Sequence, residues 1–296
     1  MTERALADLR AGDSPQSAYV HTMAALRRAL FGEFASAQRL MDASAAMLER
    51  LGHVRLGGYY VATRSANAYA LGHTETAVHE LDAQITVERA TTGTAEAYLG
   101  WLLMVRGDAL LASGHADSAA ADYTEAADLA DADDAPREAL YARALAAIAR
   151  VEAGAVEQAR AQLPDHGDAV ASHASAMALA AAARIADAEG RSTDAAHGYA
   201  AALAHLHAAA SRPVDVHIQL RERRDRIRLL GWQAQATARN GDRAAARELL
   251  DAARREGVRA LGASHPVVRA LDGDDRWRQV GGSLVAHVAS ATGHAP

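Results

Sequence analysis

One glycine recurs along this chain with the same neighbours each time, and it limits the fold more than any other feature. Gly32, Gly72, Gly114, Gly154, Gly190 and Gly241 stand 40, 42, 40, 36 and 51 residues apart. Five residues after each comes Ala37, Ala77, Ala119, Ala159, Ala195 or Ala246. Nine after comes a large side chain: Met41, Leu81, Tyr123, Leu163, Tyr199 or Leu250. Seven before comes a small one: Ala25, Ser65, Gly107, Ala147, Ala183 or Ala234. About a quarter of the 296 residues are Ala. Even so, six Ala in a row at one offset arise by chance only about once in 4,000.

Each offset has a physical reading. Glycine takes the left-handed conformation that ends a helix within one residue. The small residue before it and the Ala after it fall where two antiparallel helices cross. The large residue, about a turn further on, fills the space beside the crossing. Such a hairpin cannot bury its apolar faces alone, so it must stack on the next. Composition agrees. Half the residues are apolar, but only 4% are aromatic. Ala is the best helix former, while strand-favouring residues are scarce. The chain is therefore expected to be all-α.

The segment LMVRGDALLASGHADSAAADYTEAADLA, residues 103–130, carries the pattern most fully. With its small crossing residues, tight-turn Gly and early second-helix Ala, it resembles the tetratricopeptide repeat family. Units of about 40 residues resemble the long versions in bacterial regulators and peptide receptors. The resemblance implies a right-handed α-solenoid, one superhelical domain over 1–296, of about six hairpins. These fall at roughly 16–52, 56–92, 97–133, 137–166, 171–210 and 221–260. Only Phe34 keeps the aromatic that the family often has two residues after the Gly; Thr74, Ala116, Ser192 and Arg243 replace it elsewhere.

Two places depart from regularity. Pro164 follows Gly154 by ten residues and should cut the second helix of the fourth unit short. The 51-residue spacing leaves an excess around 208–217, read either as a long second helix in the fifth unit or as a bulging loop. Pro266 is placed to open a helix. Capping helices are expected over 264–292, the last of them over 280–290, and ERALADLRAG is a candidate cap at the other end.

Chemistry is sparse. The chain has no Cys, which removes thiol nucleophiles, disulfides and cysteine-bound metals. His205 and His207 are two apart and point to different sides of a helix; His73 and His115 read as turn residues. No Gly-rich phosphate loop and no nucleophile elbow is present. The chain is therefore expected to be non-enzymatic and to hold no metal, nucleotide or flavin. No run of apolar residues has signal or membrane length, so a cytoplasmic protein is expected. The net charge is −6, but residues 211–280 carry fifteen Arg against ten acids. In RERRDRIR, residues 221–228, Arg221–Asp225 and Glu222–Arg226 have i,i+4 spacing, as on a solvated helix face. An acidic body with a basic end could orient a polar partner or drive self-association into a homo-oligomer; nucleic acid is not the expected partner.

Thirteen residues before each hinge stand Tyr19, Tyr59, Trp101, Tyr141, Met177 and Arg228. This column either packs on the preceding hairpin or faces inward. In the resembled family the corresponding face of the first helices lines a concave groove that takes peptides. The groove residues so implied are Tyr19, Tyr59, Tyr69, Trp101, Met104, Asp108, Tyr141, Arg184, Asp187 and Gln235. The expected function is a scaffold that binds a protein or peptide in that groove. A ligand-sensing regulator and an enzyme or pathway accessory built on the same frame are the alternatives.

Overall fold

The structure, a computed structural model, describes residues 14–52, 57–90, 96–163, 171–209 and 216–271. Among them it is all-helical, with thirteen helices and no strand. Six pairs follow one another: α1 (Pro15–Leu30) and α2 (Phe34–Arg50), α3 (Gly58–Ala70) and α4 (Thr74–Ala90), α5 (Glu96–Ala112) and α6 (Ala116–Ala132), α7 (Pro136–Glu152) and α8 (Val156–Gln162), α9 (His173–Ala188) and α10 (Ser192–Ala209), α11 (Val216–Arg239) and α12 (Arg243–Leu261). A short α13 (Pro266–Leu271) follows.

The turns form as the glycines require. All six hinge glycines have positive φ, from 75° at Gly32 to 91° at Gly114 and Gly241. In the first five hinges the next residue donates its N–H to a carbonyl five back, as His73 does to Ala68 at 2.9 Å and His115 to Leu110 at 2.9 Å. That bond closes one helix, and the same residue's carbonyl accepts the first bond of the next. His73 and His115 thus serve both helices through their backbone. Asp134 does the glycine's work in the turn between α6 and α7, at φ 54°; Asp is one of the few side-chain-bearing residues to visit this region.

The crossings are tight and dry. The six alanines after the hinges are at most 1% exposed. The large residues nine after are buried at five hinges, and Leu163 is half-buried. Contacts mirror one another across each turn, which defines antiparallel hairpins. Tyr123 of α6 lies against Gly107 of α5, where a Cβ would meet its ring at 2.6 Å. Arg106 and Asp122, one step away, pair at 2.6 Å. Each helix packs on its successor, and first helices also meet directly, α3 on α5 and α7 on α9.

The irregular places resolve as follows. Helix α8 spans only seven residues, as Pro164 demands. The long spacing goes neither into α10 nor wholly into a loop. Helix α11 runs 24 residues and begins about two turns earlier, relative to its hinge, than the other first helices. Pro266 does open α13, but the helix expected at 280–290, the end of the 264–292 cap and the N-terminal ERALADLRAG lie outside the described residues.

The long helix brings the chain back on itself. Helix α11 contacts α1, and Arg223 Nη1 donates to the Leu30 carbonyl. Around the hinge at Gly32 the Ala260 carbonyl comes so close that a Cβ would stand 3.3 Å from it. His265 sits between Phe34 and Tyr69, with ring centroids 6.2 and 5.3 Å away. The last hairpin is therefore docked on the first two.

Candidate binding site on the inner face

Helix α11 places RERRDRIR against the first helices rather than wholly in solvent. Arg224, Asp225 and Arg228 are 6%, 0% and 5% exposed. The sequence expectation of a solvated face fails here because the partners come from distant helices. Arg224 reaches Asp108 on α5 through Nη1, Asp225 through Nε at 3.0 Å and the Tyr141 hydroxyl through Nη2 at 3.0 Å. Tyr141 donates to Asp225 at 2.8 Å, and His173 Nε2 meets the same oxygen at 2.8 Å. Tyr123 donates to the other Asp108 oxygen at 2.9 Å. Arg228 lies 3.6 Å from Asp225, an ion pair too long for a hydrogen bond. Arg226, expected beside Glu222, instead pairs with Glu256 at 2.8 Å.

Burial opposes ionisation of Asp225, but Arg224, His173 and Arg228 outweigh it and hold its carboxyl below the usual range. Burial and the neighbouring carboxylates push the Tyr141 hydroxyl well up, so it stays a donor. Arg224, Asp225, Asp108, Tyr141, Tyr123 and His173 are hydrogen-bonded to one another, while Arg228 joins only through its longer ion pair.

Two hollows flank this network, and Trp101 and Arg221 border both. The wider is a cleft of about 400 Å³ between α5, α6, α7, α9 and α11. Trp101, Met104, Leu129, Tyr141 and Ile218 give it apolar surface; Arg137, Glu138, His173, Arg221 and Glu222 give it polar edges. Arg221 lies over the Tyr141 ring, 5.8 Å from its centroid, and the His173 ring meets Tyr141 at a tilt, 4.6 Å between centroids. Burial raises the Glu222 pKa, with His173 acting against it. The narrower hollow is a pocket of about 90 Å³ between α1, α2, α3, α5, α11 and the end of α12, lined largely by Ala, Leu and Met with Asn67, Tyr69, Asp108, Arg224 and His265.

The ten residues named from sequence do not stay together. Trp101, Met104 and Tyr141 border the cleft, and Tyr69, Asp108 and Trp101 border the pocket. Tyr59 stands behind them, its ring 5.2 Å from Trp101. Arg184, Asp187 and Gln235 border neither hollow. Arg184 instead pairs with Glu152 and Asp187, lies 5.3 Å from the Trp232 ring centroid, and shares Asp187 with Arg239. Gln235 is buried at 2% exposure. Tyr19 projects outward at 61% exposure. Sequence reasoning missed Arg221, Arg224, Asp225, His173 and His265. The 51-residue gap, which leaves room for extra turns before the last hinge, was a signal for Arg221; the others had none in the local pattern.

Among the described residues no group of three or more His, Asp or Glu is arranged to hold a metal ion, and no helix is long and apolar enough to cross a membrane. No family model matches the chain, and no curated protein matches it. Among solved structures it is similar to the crystal structure of BtubC (BKLC) from P. vanneervenii, at TM-score 0.46 and 13% identity, over 86% of this chain and 92% of that one.

Proposed function

We propose that this chain is a non-enzymatic binding module, a right-handed α-solenoid of hairpins like tetratricopeptide repeats, that holds an extended segment of a partner protein in the wide inner cleft. The hinge and crossing pattern supports the solenoid reading, and the docked last hairpin narrows its concave side to this cleft. The observation that carries the binding reading is the division of labour inside the cleft. Its floor ions are spent on one another, while the Trp101 and Tyr141 rings and the Met104 side chain border open space. What the cleft presents to a partner is therefore ring and thioether surface, with Arg137, Glu138 and Glu222 at the edges. Aromatic anchors of this kind carry much of the energy of an interface.

The test uses peptides selected on the full chain from a displayed random library. Trp101→Ala weakens their binding at least about tenfold and leaves the helical spectrum unchanged. Selection without enrichment, or equal affinity for the variant, overturns the reading. A loss of about 3–5 kcal/mol in stability with affinity unchanged would assign Trp101 to packing instead.

A further inference from the structure

The wide cleft does not end at its own rim. In a chain that is 4% aromatic, rings continue outward from it. Trp101 borders the cleft from α5, and the Tyr59 ring of α3 lies 5.2 Å from it at a tilt. Tyr98, about one turn before Trp101 on α5, meets Tyr59 edge-on at 6.2 Å and is 42% exposed. Tyr141 borders the cleft from α7. Aromatic surface therefore runs from inside the cleft to solvent across three helices. Two charged side chains of α11 border the same cleft without a counter-charge. Arg221 is held over the Tyr141 ring, and its N–H groups bond to no described residue. Glu222 makes neither a hydrogen bond nor an ion pair with any described residue, since Arg226, one turn on, is drawn to Glu256. Burial raises the Glu222 pKa, with His173 acting against it, and a cation beside the carboxylate would offset that cost.

We propose that the segment held in the cleft is proline-rich and basic, lying in the polyproline II conformation across Tyr98, Tyr59, Trp101 and Tyr141 with an Arg or Lys against Glu222. This deepens the peptide reading of the cleft and rests on it. The mode follows from what the surface offers. Strand addition needs an open sheet edge, and the described residues form no strand. Capture of an acidic segment needs a cluster of Arg, but the acids bordering this cleft, Asp133, Glu138 and Glu222, outnumber Arg137 and Arg221. A polyproline II segment fits what remains. It has no internal hydrogen bonds, its proline rings lie against aromatic faces, and its carbonyls need donors. The four rings supply the faces, and Arg221 supplies N–H groups. The segment is preformed in this conformation, so docking costs it little conformational entropy.

The test measures binding of fluorescently labelled peptides to the full chain by anisotropy. Four Pro-Pro-Arg repeats bind saturably. Four Ala-Ala-Arg repeats, equal in charge but without proline, and four Pro-Pro-Glu repeats, equal in proline but acidic, bind at least about tenfold more weakly. Tyr98→Ala, which removes an exposed ring, weakens the Pro-Pro-Arg peptide at least about fivefold and leaves the helical spectrum unchanged. Glu222→Gln narrows its margin over the Pro-Pro-Glu peptide by about threefold. No saturable binding of the Pro-Pro-Arg peptide, equal affinity for either control, or no effect of either variant overturns the proposal. Selection from the displayed library separates this failure from failure of the cleft itself. Enriched segments without proline that Trp101→Ala weakens would keep the peptide reading and overturn this one; no enrichment would overturn both.

Discussion

The same position in the hairpin has opposite fates at the two ends of this chain. Thirteen residues before the first hinge, Tyr19 is 61% exposed; thirteen before the last, Arg228 is 5% exposed. By side-chain chemistry alone the order should be reversed. Between them the column passes through half-buried Tyr59 and Trp101 to buried Tyr141 and Met177. The position is therefore neither core nor groove by nature. What lies across it decides, and toward the C-terminal half that is α11 with its partners Asp108, Tyr141 and His173. The column exposes rings where the long helix does not cover them, and its polar end, Arg228, is buried beside the Asp225 carboxylate of its own helix, 3.6 Å away.

The largest expected effect breaks the covered end. Arg224→Ala leaves Asp108 and Asp225 buried without their main counter-charge, and should cost about 3–5 kcal/mol in denaturant unfolding. A loss below about 1 kcal/mol would mean that α11 does not sit on α5. The next concerns the seam that both ends share. Ala119→Leu forces apart helices that leave Ala119 0% exposed, and should cost about 1–3 kcal/mol; Ala132→Leu, at an exposed helix end, should be nearly neutral. Equal effects would misplace the crossing.

Acid sharpens the contrast at the closure. Burial, helped by Arg224 and Arg228, lowers the His265 pKa from 6.5 to about 3. The Val267 N–H donates to its Nδ1 at 3.2 Å, as fits a neutral ring. Above pH 6.5 the ring is neutral in both folded and unfolded chains. As pH falls from 6.5 toward 3, only the unfolded chain takes up the proton. His265 thus adds a loss of stability on acidification, at most about 1.4 kcal/mol per pH unit. Melting curves over this range should show that slope reduced in His265→Gln; an unchanged slope would place the acid sensitivity elsewhere. The smallest effect belongs to the open end. Tyr19→Ala should change stability by no more than about 0.5 kcal/mol in the same unfolding assay.

The hairpins could be read from the sequence because their determinants are local. A Gly, and small residues five after and seven before it, fix a turn and a crossing within about twenty residues, so Gly114, Ala119 and Gly107 sufficed for α5 and α6. The inner face depends on contacts that a local reading cannot reach. Arg224 lies 116 residues from Asp108, and the i,i+4 spacing of Arg221 with Asp225 suggested a closer partner that the fold does not use. Trp101, Met104 and Tyr141 were found because equal offsets from the hinge bring first helices into line. Arg184 and Asp187 share that face, yet Glu152, Trp232 and Arg239 gather them into a separate cluster. Closure itself was hidden, since nothing near Phe34 or Tyr69 announces His265.

The most direct test of a last hairpin docked on the inner face is a double-mutant cycle between Asp108 and Arg224. Unfolding free energies of the wild type, Asp108→Asn, Arg224→Leu and the double variant give their coupling, since the loss of the Tyr123 bond to Asp108 is common to both proteins carrying Asp108→Asn and cancels. Contact across 116 residues of chain predicts a coupling of at least about 1 kcal/mol. Additivity within about 0.3 kcal/mol would separate the two residues and, with them, α11 from the inner face.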